Sequence, residues 1–334
     1  MQNDKINLSL IIPIGLMLFS FFFGAGNLIF PPVLGQMAGE NISWGMLGFC
    51  LSGVGFPLLG VLTMAMKQSD NPDSIAMPMH PLYARAVTIL CALAIGPLFA
   101  IPRTAAVSFD TGIHSLLPAS CEAIGLPVYT VFFFVLTYFF SINPSKIIGH
   151  IGKFLSPMLL ICLAVLVVCV FVNPTGSLKM PNPDFAASPF FRGFQEGYNT
   201  MDLLAAILFG SITIKAIEAQ GITDKKVLTK LCSYAGLIAA FFLAIIYAAL
   251  AYTGALSINV FGVIPNGATL LSKICTYYMG FGGQVVLALI IFFACLTTSI
   301  GLTTAISGYF AELSNTVCNT SDWYSSSLLS SLVV

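Results

Sequence analysis

Near the start of the chain, a run of phenylalanine gives way to Gly24-Ala25-Gly26-Asn27 in the middle of an apolar stretch. Glycine lets the backbone leave helical dihedrals and lets a small ligand approach it closely. A helix interrupted there exposes amide N–H groups on one side of the break and carbonyls on the other. The N–H side carries the positive end of a helix dipole and suits a carboxylate, while free carbonyls suit a cation. Asn27 adds a carboxamide that can accept or donate, and Ser20 adds a hydroxyl one turn upstream. The alternative use of the same glycines is close packing between membrane helices. A second candidate break, Gly197-Tyr198-Asn199-Thr200-Met201-Asp202, precedes an apolar stretch at 203–210 that is short for a full crossing. Its alternative is a loop ahead of an ordinary helix. The third candidate is Ala294-Cys295-Leu296-Thr297-Thr298-Ser299. Its neutral hydroxyls suit Na⁺, or they bond their own i−4 carbonyls. Successive helical residues point about 100° apart, so Thr297 and Thr298 can flank one ion that Ser299 cannot also reach.

Two charges stand beside these motifs. Arg103 follows Ile101-Pro102 in apolar company, where charge is costly, and either pairs with Asp110 or Asp202 or reaches the interface. Asp202 is open between a structural and a gating role. No two acids are paired at a helix centre. No Cys-x-x-Cys, Cys/His cluster, nucleophile elbow or phosphate loop is present, so neither a metal centre nor an enzyme is expected.

The elements that must position these residues are membrane helices. Of 334 residues, 57% are hydrophobic and 8% charged, and the mean hydropathy is +0.95, unlike a soluble domain. About twenty apolar residues in a helix cross a bilayer. The pattern predicts eight such segments, near 8–30, 44–66, 86–109, 127–142, 152–172, 202–217, 231–252 and 284–310. Between the fifth and sixth, residues 173–200 carry Pro174, Pro181, Pro183 and Pro189 and read as an external loop with room for a short interfacial helix. Cys50, Cys91, Cys162, Cys169, Cys232 and Cys295 lie in apolar blocks as small hydrophobes, and the three histidines lie near loops. The formal net charge is zero and no basic run suggests a nucleic-acid partner.

Loop charge sets the orientation. With the N-terminus inside, nine basic residues fall inside (Lys5, Lys67, Arg85, Lys146, Lys153, Lys215, Lys225, Lys226, Lys230) against four outside (Arg103, Lys179, Arg192, Lys273). The positive-inside rule favours a cytoplasmic N-terminus. The expected domains are a transmembrane unit at 1–313 and an atypical polar tail at 314–334.

The stretch Phe21-Phe22-Phe23-Gly24-Ala25-Gly26-Asn27-Leu28-Ile29-Phe30-Pro31-Pro32 resembles the bacterial branched-chain amino acid:cation symporters. So does Gly96-Pro97-Leu98-Phe99-Ala100-Ile101-Pro102-Arg103-Thr104-Ala105. The resemblance runs to about Leu313. It implies an all-α polytopic bundle of the sodium-coupled leucine-transporter-like fold, built from two inverted five-helix repeats. It further implies symport of leucine, isoleucine and valine with sodium as coupling ion, in the bacterial inner membrane. By that resemblance Ala25, Gly26, Asn27, Tyr198 and Asn199 bind the substrate. The carbonyls of Ser20, Phe23 and Ala294 and the hydroxyls of Thr297 and Thr298 hold the ion. Family members usually have about twelve helices, so the second repeat is expected to be incomplete, and a truncated, transport-inactive membrane fragment is the alternative reading.

Overall fold

The computed structural model describes residues 8–116, 122–143, 146–174 and 176–314. The expected tail at 314–334 therefore lies, from 315 onward, outside the described residues. Every described regular element is helical. Helix α1 (Leu8–Phe22) stops at the Phe23-Gly24 break and α2 (Ala25–Ala38) starts beyond it. A turn at Gly39, whose φ of 49° favours glycine, leads into α3 (Ile42–Cys50). A π-helical turn at Leu51–Gly55 joins α3 to α4 (Phe56–Lys67). Then come α5 (Pro81–Ile95), α6 (Ala100–Ser108) with a π turn at Phe109–Ile113, and α7 (Glu122–Ser141). A π stretch at Ile148–Leu155 opens α8 (Ser156–Val172).

The second half holds the short α9 (Pro183–Ala187), α10 (Pro189–Tyr198), α11 (Asp202–Glu218), α12 (Lys225–Phe261) and α13 (Gly267–Leu313). Asp224 caps α12 by accepting from the N–H groups of Lys226 and Val227, and Asn266 caps α13 through Ala268 and Thr269. Gly280, at φ 58°, kinks α13. Six described helices are long and apolar enough to cross a membrane, and the bent pair α10–α11 makes a seventh. The run Ala25–Lys67 counts among the six although Gly39 turns it, and the shorter apolar α1 feeds it through the break. Eight crossing segments are expected from the sequence; among the described residues six or seven are long enough, because α1 is too short to count by itself, and two further differences stand out. Residues 173–200 contain α10, because Pro189 takes the first helical position, where a missing N–H costs nothing. The third segment is interrupted at 96–99, where α5 ends on Gly96. His150 also departs from a solvated loop residue: it lies in the π stretch, its ring edge-on to Phe140 at 5.4 Å.

Two glycine contacts set the spacing of the bundle. A Cβ on Gly35 would stand 1.8 Å from the Ala251 carbonyl oxygen, which locks α2 onto α12. A Cβ on Gly193 would stand 1.9 Å from the Gly45 carbonyl oxygen, which locks α10 onto α3. Backbones approach this closely only where side chains are absent, the usual device when lipid offers helices no hydrophobic drive to associate. Around the breaks the core is aromatic. Phe21 stacks on Phe209 at 5.2 Å, Phe22 meets the same ring edge-on, and Tyr247 lies between Phe23 and Phe49.

Candidate functional site

The two breaks meet at a cavity of about 70 Å³, lined in part by Gly24, Ala25, Gly26 and Asn27 from the first and Thr200, Met201 and Asp202 from the second. A water needs roughly 10–15 Å³ of such space, so the cavity suits a small molecule rather than a peptide. Both α2 and α11 begin here, so two sets of opening N–H groups and two positive dipole ends converge on it. Phe21, Phe22, Ile95, Phe99, Phe209 and Leu302 make the rest largely apolar.

The breaks are built differently. At the first, Gly24 is extended (φ −100°, ψ −167°), and its N–H donates to the Phe22 carbonyl at 2.9 Å and to Asn27 Oδ1 at 3.2 Å. At the second, Met201 takes a left-handed φ of 64°, uncommon for a residue other than glycine and costing on the order of 1–2 kcal/mol. Thr200 braces it, donating its hydroxyl to the Gly197 carbonyl at 2.8 Å and to Asp202 Oδ2 at 3.0 Å.

Asn27 ties the breaks together. Its amide nitrogen donates to Asp202 Oδ2 at 2.5 Å and to the Tyr247 hydroxyl on α12. The side chain is 2% exposed and already engaged on both ends, so Asn27 organises the cavity wall, while Ala25 and Gly26 present the start of α2. Tyr198 and Asn199 do not line the cavity, and Tyr198 is 52% exposed. The wall positions belong to Thr200, Met201 and Asp202, because the left-handed turn falls at 201 instead of at the glycine. Tyr247 was not singled out from sequence. Its signal is one of three tyrosines in an apolar span, with Tyr234 and Tyr252, common enough to pass as core.

Of the expected ion ligands, Ser20, Ala294, Thr297 and Thr298 come together. The Thr297 hydroxyl bonds its own i−4 carbonyl, that of Phe293, at 2.9 Å, as the alternative reading expected, and the carbonyls of Ser20 and Ala294 also lie within reach at 3.0 and 3.1 Å. Thr298 reaches the Ser20 carbonyl at 3.4 Å and that of Phe21 at 3.1 Å. A Cβ on Gly24 would lie 3.2 Å from the Thr298 hydroxyl, which places the carbonyl end of the break beside it. Ser299 faces elsewhere, accepting from Thr137 at 3.4 Å. The Ser20 hydroxyl also turns away, donating to Ser156 Oγ at 2.7 Å. What remains between α1 and α13 is a set of neutral carbonyl and hydroxyl oxygens. That donor chemistry fits a hard monovalent cation and offers nothing for a soft transition metal. Among the described residues, no three His, Cys, Asp or Glu side chains are grouped to hold a metal.

Comparison with known proteins gives a consistent picture. Residues 7–333 match the family model described as branched-chain amino acid transport protein. The chain is 45% identical over 312 residues to the branched-chain amino acid permease BrnQ of Bacillus subtilis, covering 93% of this chain and 71% of that protein. It is 43% identical over 302 residues to the permease BraB of the same organism, covering 90% and 68%. Among solved structures it is similar to MhsT, crystallised in complex with L-phenylalanine, with a TM-score of 0.63 at 16% identity over 96% of this chain and 78% of that one. That likeness is one of fold. The bundle has the inverted-repeat architecture of the leucine-transporter-like fold, and the broken spans α1–α2 and α10–α11 open its two repeats.

Proposed function

The chain belongs to the branched-chain amino acid transport protein family, and on that premise we infer that it is a sodium-coupled symporter of leucine, isoleucine and valine. It is a transport carrier, not an enzyme, and a multi-pass protein of the bacterial inner membrane. The observation that carries the proposal is the meeting of two broken helices on one small, mostly apolar cavity. The opening N–H groups of α2, at Ala25 and Gly26, receive the amino acid carboxylate. The aromatic and aliphatic wall takes the branched side chain. Sodium sits between α1 and α13, held by the carbonyls of Ser20, Phe23 and Ala294 and the hydroxyls of Thr297 and Thr298. Its binding fixes the end of α1 against α13 and with it the geometry of the Gly24 break, so ion and amino acid strengthen each other's binding to the same degree. The N-terminus lies in the cytoplasm, as the excess of basic residues on that side supports.

The test is uptake of labelled leucine into vesicles that carry this chain but no other branched-chain amino acid carrier. An inward sodium gradient should drive accumulation above empty-vector vesicles, and dissipating it should abolish the excess. Accumulation that ignores the sodium gradient would reject the coupling ion, and no accumulation would reject the transport reading.

A further inference from the structure

A guanidinium and a carboxyl group line the cavity and do not pair with each other. Arg103 projects from α6, the segment that restarts after the break at 96–99. The guanidinium lies over the ring of Phe99, 5.6 Å from its centre, and forms no ion pair with Asp110 or Asp202. Asp202 opens α11 and is 6% exposed. Its hydrogen-bond partners are neutral: Asn27 at 2.5 Å and Thr200 at 3.0 Å on Oδ2, with the Tyr247 hydroxyl beside them. A charge inside a membrane protein is expensive and is ordinarily met by an opposite charge or marks the path of a ligand. Here a guanidinium and a carboxyl group share one cavity and are left apart, each held in place by aromatic or uncharged groups.

We propose that Arg103 and Asp202 are the two ends of a zwitterion clamp, Arg103 joining the α2 N–H groups on the carboxylate of the transported amino acid and Asp202 taking its ammonium group. The clamp rests on the transport reading above and deepens it. A free α-amino acid carries one charge of each sign on adjacent atoms, so a single ligand relieves both protein charges at once. A molecule with only one of the two charges relieves one and leaves the other buried without a partner. The planar guanidinium donates to one carboxylate oxygen while the α2 N–H groups take the other, which also fixes the orientation of the ligand's backbone atoms. The apolar wall of Ile95, Phe99, Phe209 and Leu302 is then left to read the side chain. The break at 96–99 acquires a purpose: a Cβ on Gly96 would stand 2.5 Å from the Ala92 carbonyl oxygen, so only glycine ends α5 there and lets α6 carry Arg103 to the cavity.

The experiment measures binding to the purified full chain at saturating sodium with three probes: L-leucine, L-leucinamide, which lacks the carboxylate, and 4-methylpentanoate, which lacks the ammonium group. The wild type should bind leucine and prefer it strongly to both. Arg103→Gln should weaken leucine about tenfold or more while changing leucinamide little, so the ratio between them collapses. Asp202→Asn, which keeps a group of the same shape beside Asn27 and Thr200, should collapse the ratio of leucine to 4-methylpentanoate. Arg103→Lys keeps the charge and should recover part of the leucine affinity, which separates a clamp from a merely structural arginine. Leucine binding by the wild type with unchanged ratios in both variants overturns the clamp and leaves the transport reading standing. No leucine binding by the wild type overturns both.

Discussion

Removing the Asn27 carboxamide is the sharpest probe of the site. In Asn27→Ala, Asp202 loses its 2.5 Å donor and the Tyr247 hydroxyl loses its amide partner, while the Gly24 N–H keeps its bond to the Phe22 carbonyl. A hydrogen bond to a charged group contributes about 1.5–3 kcal/mol, but those measured between membrane helices average about 0.6 and reach about 1.7. The Asn27–Asp202 bond is short and buried on both sides, so it belongs at the upper end of the membrane range. A double-mutant cycle of Asn27→Ala, Asp202→Ala and the double variant should therefore give a coupling energy of about 1.5 kcal/mol, roughly a twelvefold change in the unfolding equilibrium. The assay is reversible unfolding of the purified protein in mixed micelles of mild detergent and dodecyl sulfate, followed by helical circular dichroism. A coupling energy below about 0.3 kcal/mol, the level at which independent sites add, would refute the reasoning that these residues hold the two breaks together.

Thr298→Ala should raise the sodium concentration needed for half-maximal leucine binding and leave leucine affinity at saturating sodium nearly unchanged; equal sodium dependence would remove Thr298 from the ion site. Gly26→Leu should abolish leucine binding with normal membrane insertion, because its Cβ would stand 3.1 Å from the Phe30 ring and its branch would enter the cavity; retained affinity in a binding assay would place the carboxylate elsewhere. Gly193→Val should destabilise the bundle by about 1–3 kcal/mol or more in the same unfolding assay, since its Cβ would overlap the Gly45 carbonyl. A cysteine at Lys225, in a background without exposed cysteines, should react with an impermeant maleimide only after the cytoplasmic face is opened; labelling in intact cells would reverse the topology.

Hydropathy alone was enough to locate the membrane helices. Lipid leaves backbone groups no partner but each other, so a long apolar run has little choice but to coil. The first break was equally legible, because Gly24 and Gly26 encode it in their own dihedral freedom. The pairing of Thr297 and Thr298 against α1 was approached through helical direction and family resemblance, yet the partner carbonyls are 277 and 278 residues away in sequence. The second break is the instructive failure of register. Gly197 marked the region, but it packs against α3, and the left-handed residue is Met201, held there by Thr200 and the cavity wall. Nothing in the local propensity of methionine predicts that. Tyr247, 220 residues from Asn27, and Arg103, delivered by a break in the third span, likewise became site residues only through packing. The sequence by itself determined where the chain must be helical and where one helix could open, since those are properties of neighbouring residues. Which groups meet at the opening was decided by the tertiary structure, because hydrogen bonds and charges act through space between segments whose sequences say nothing of their partners.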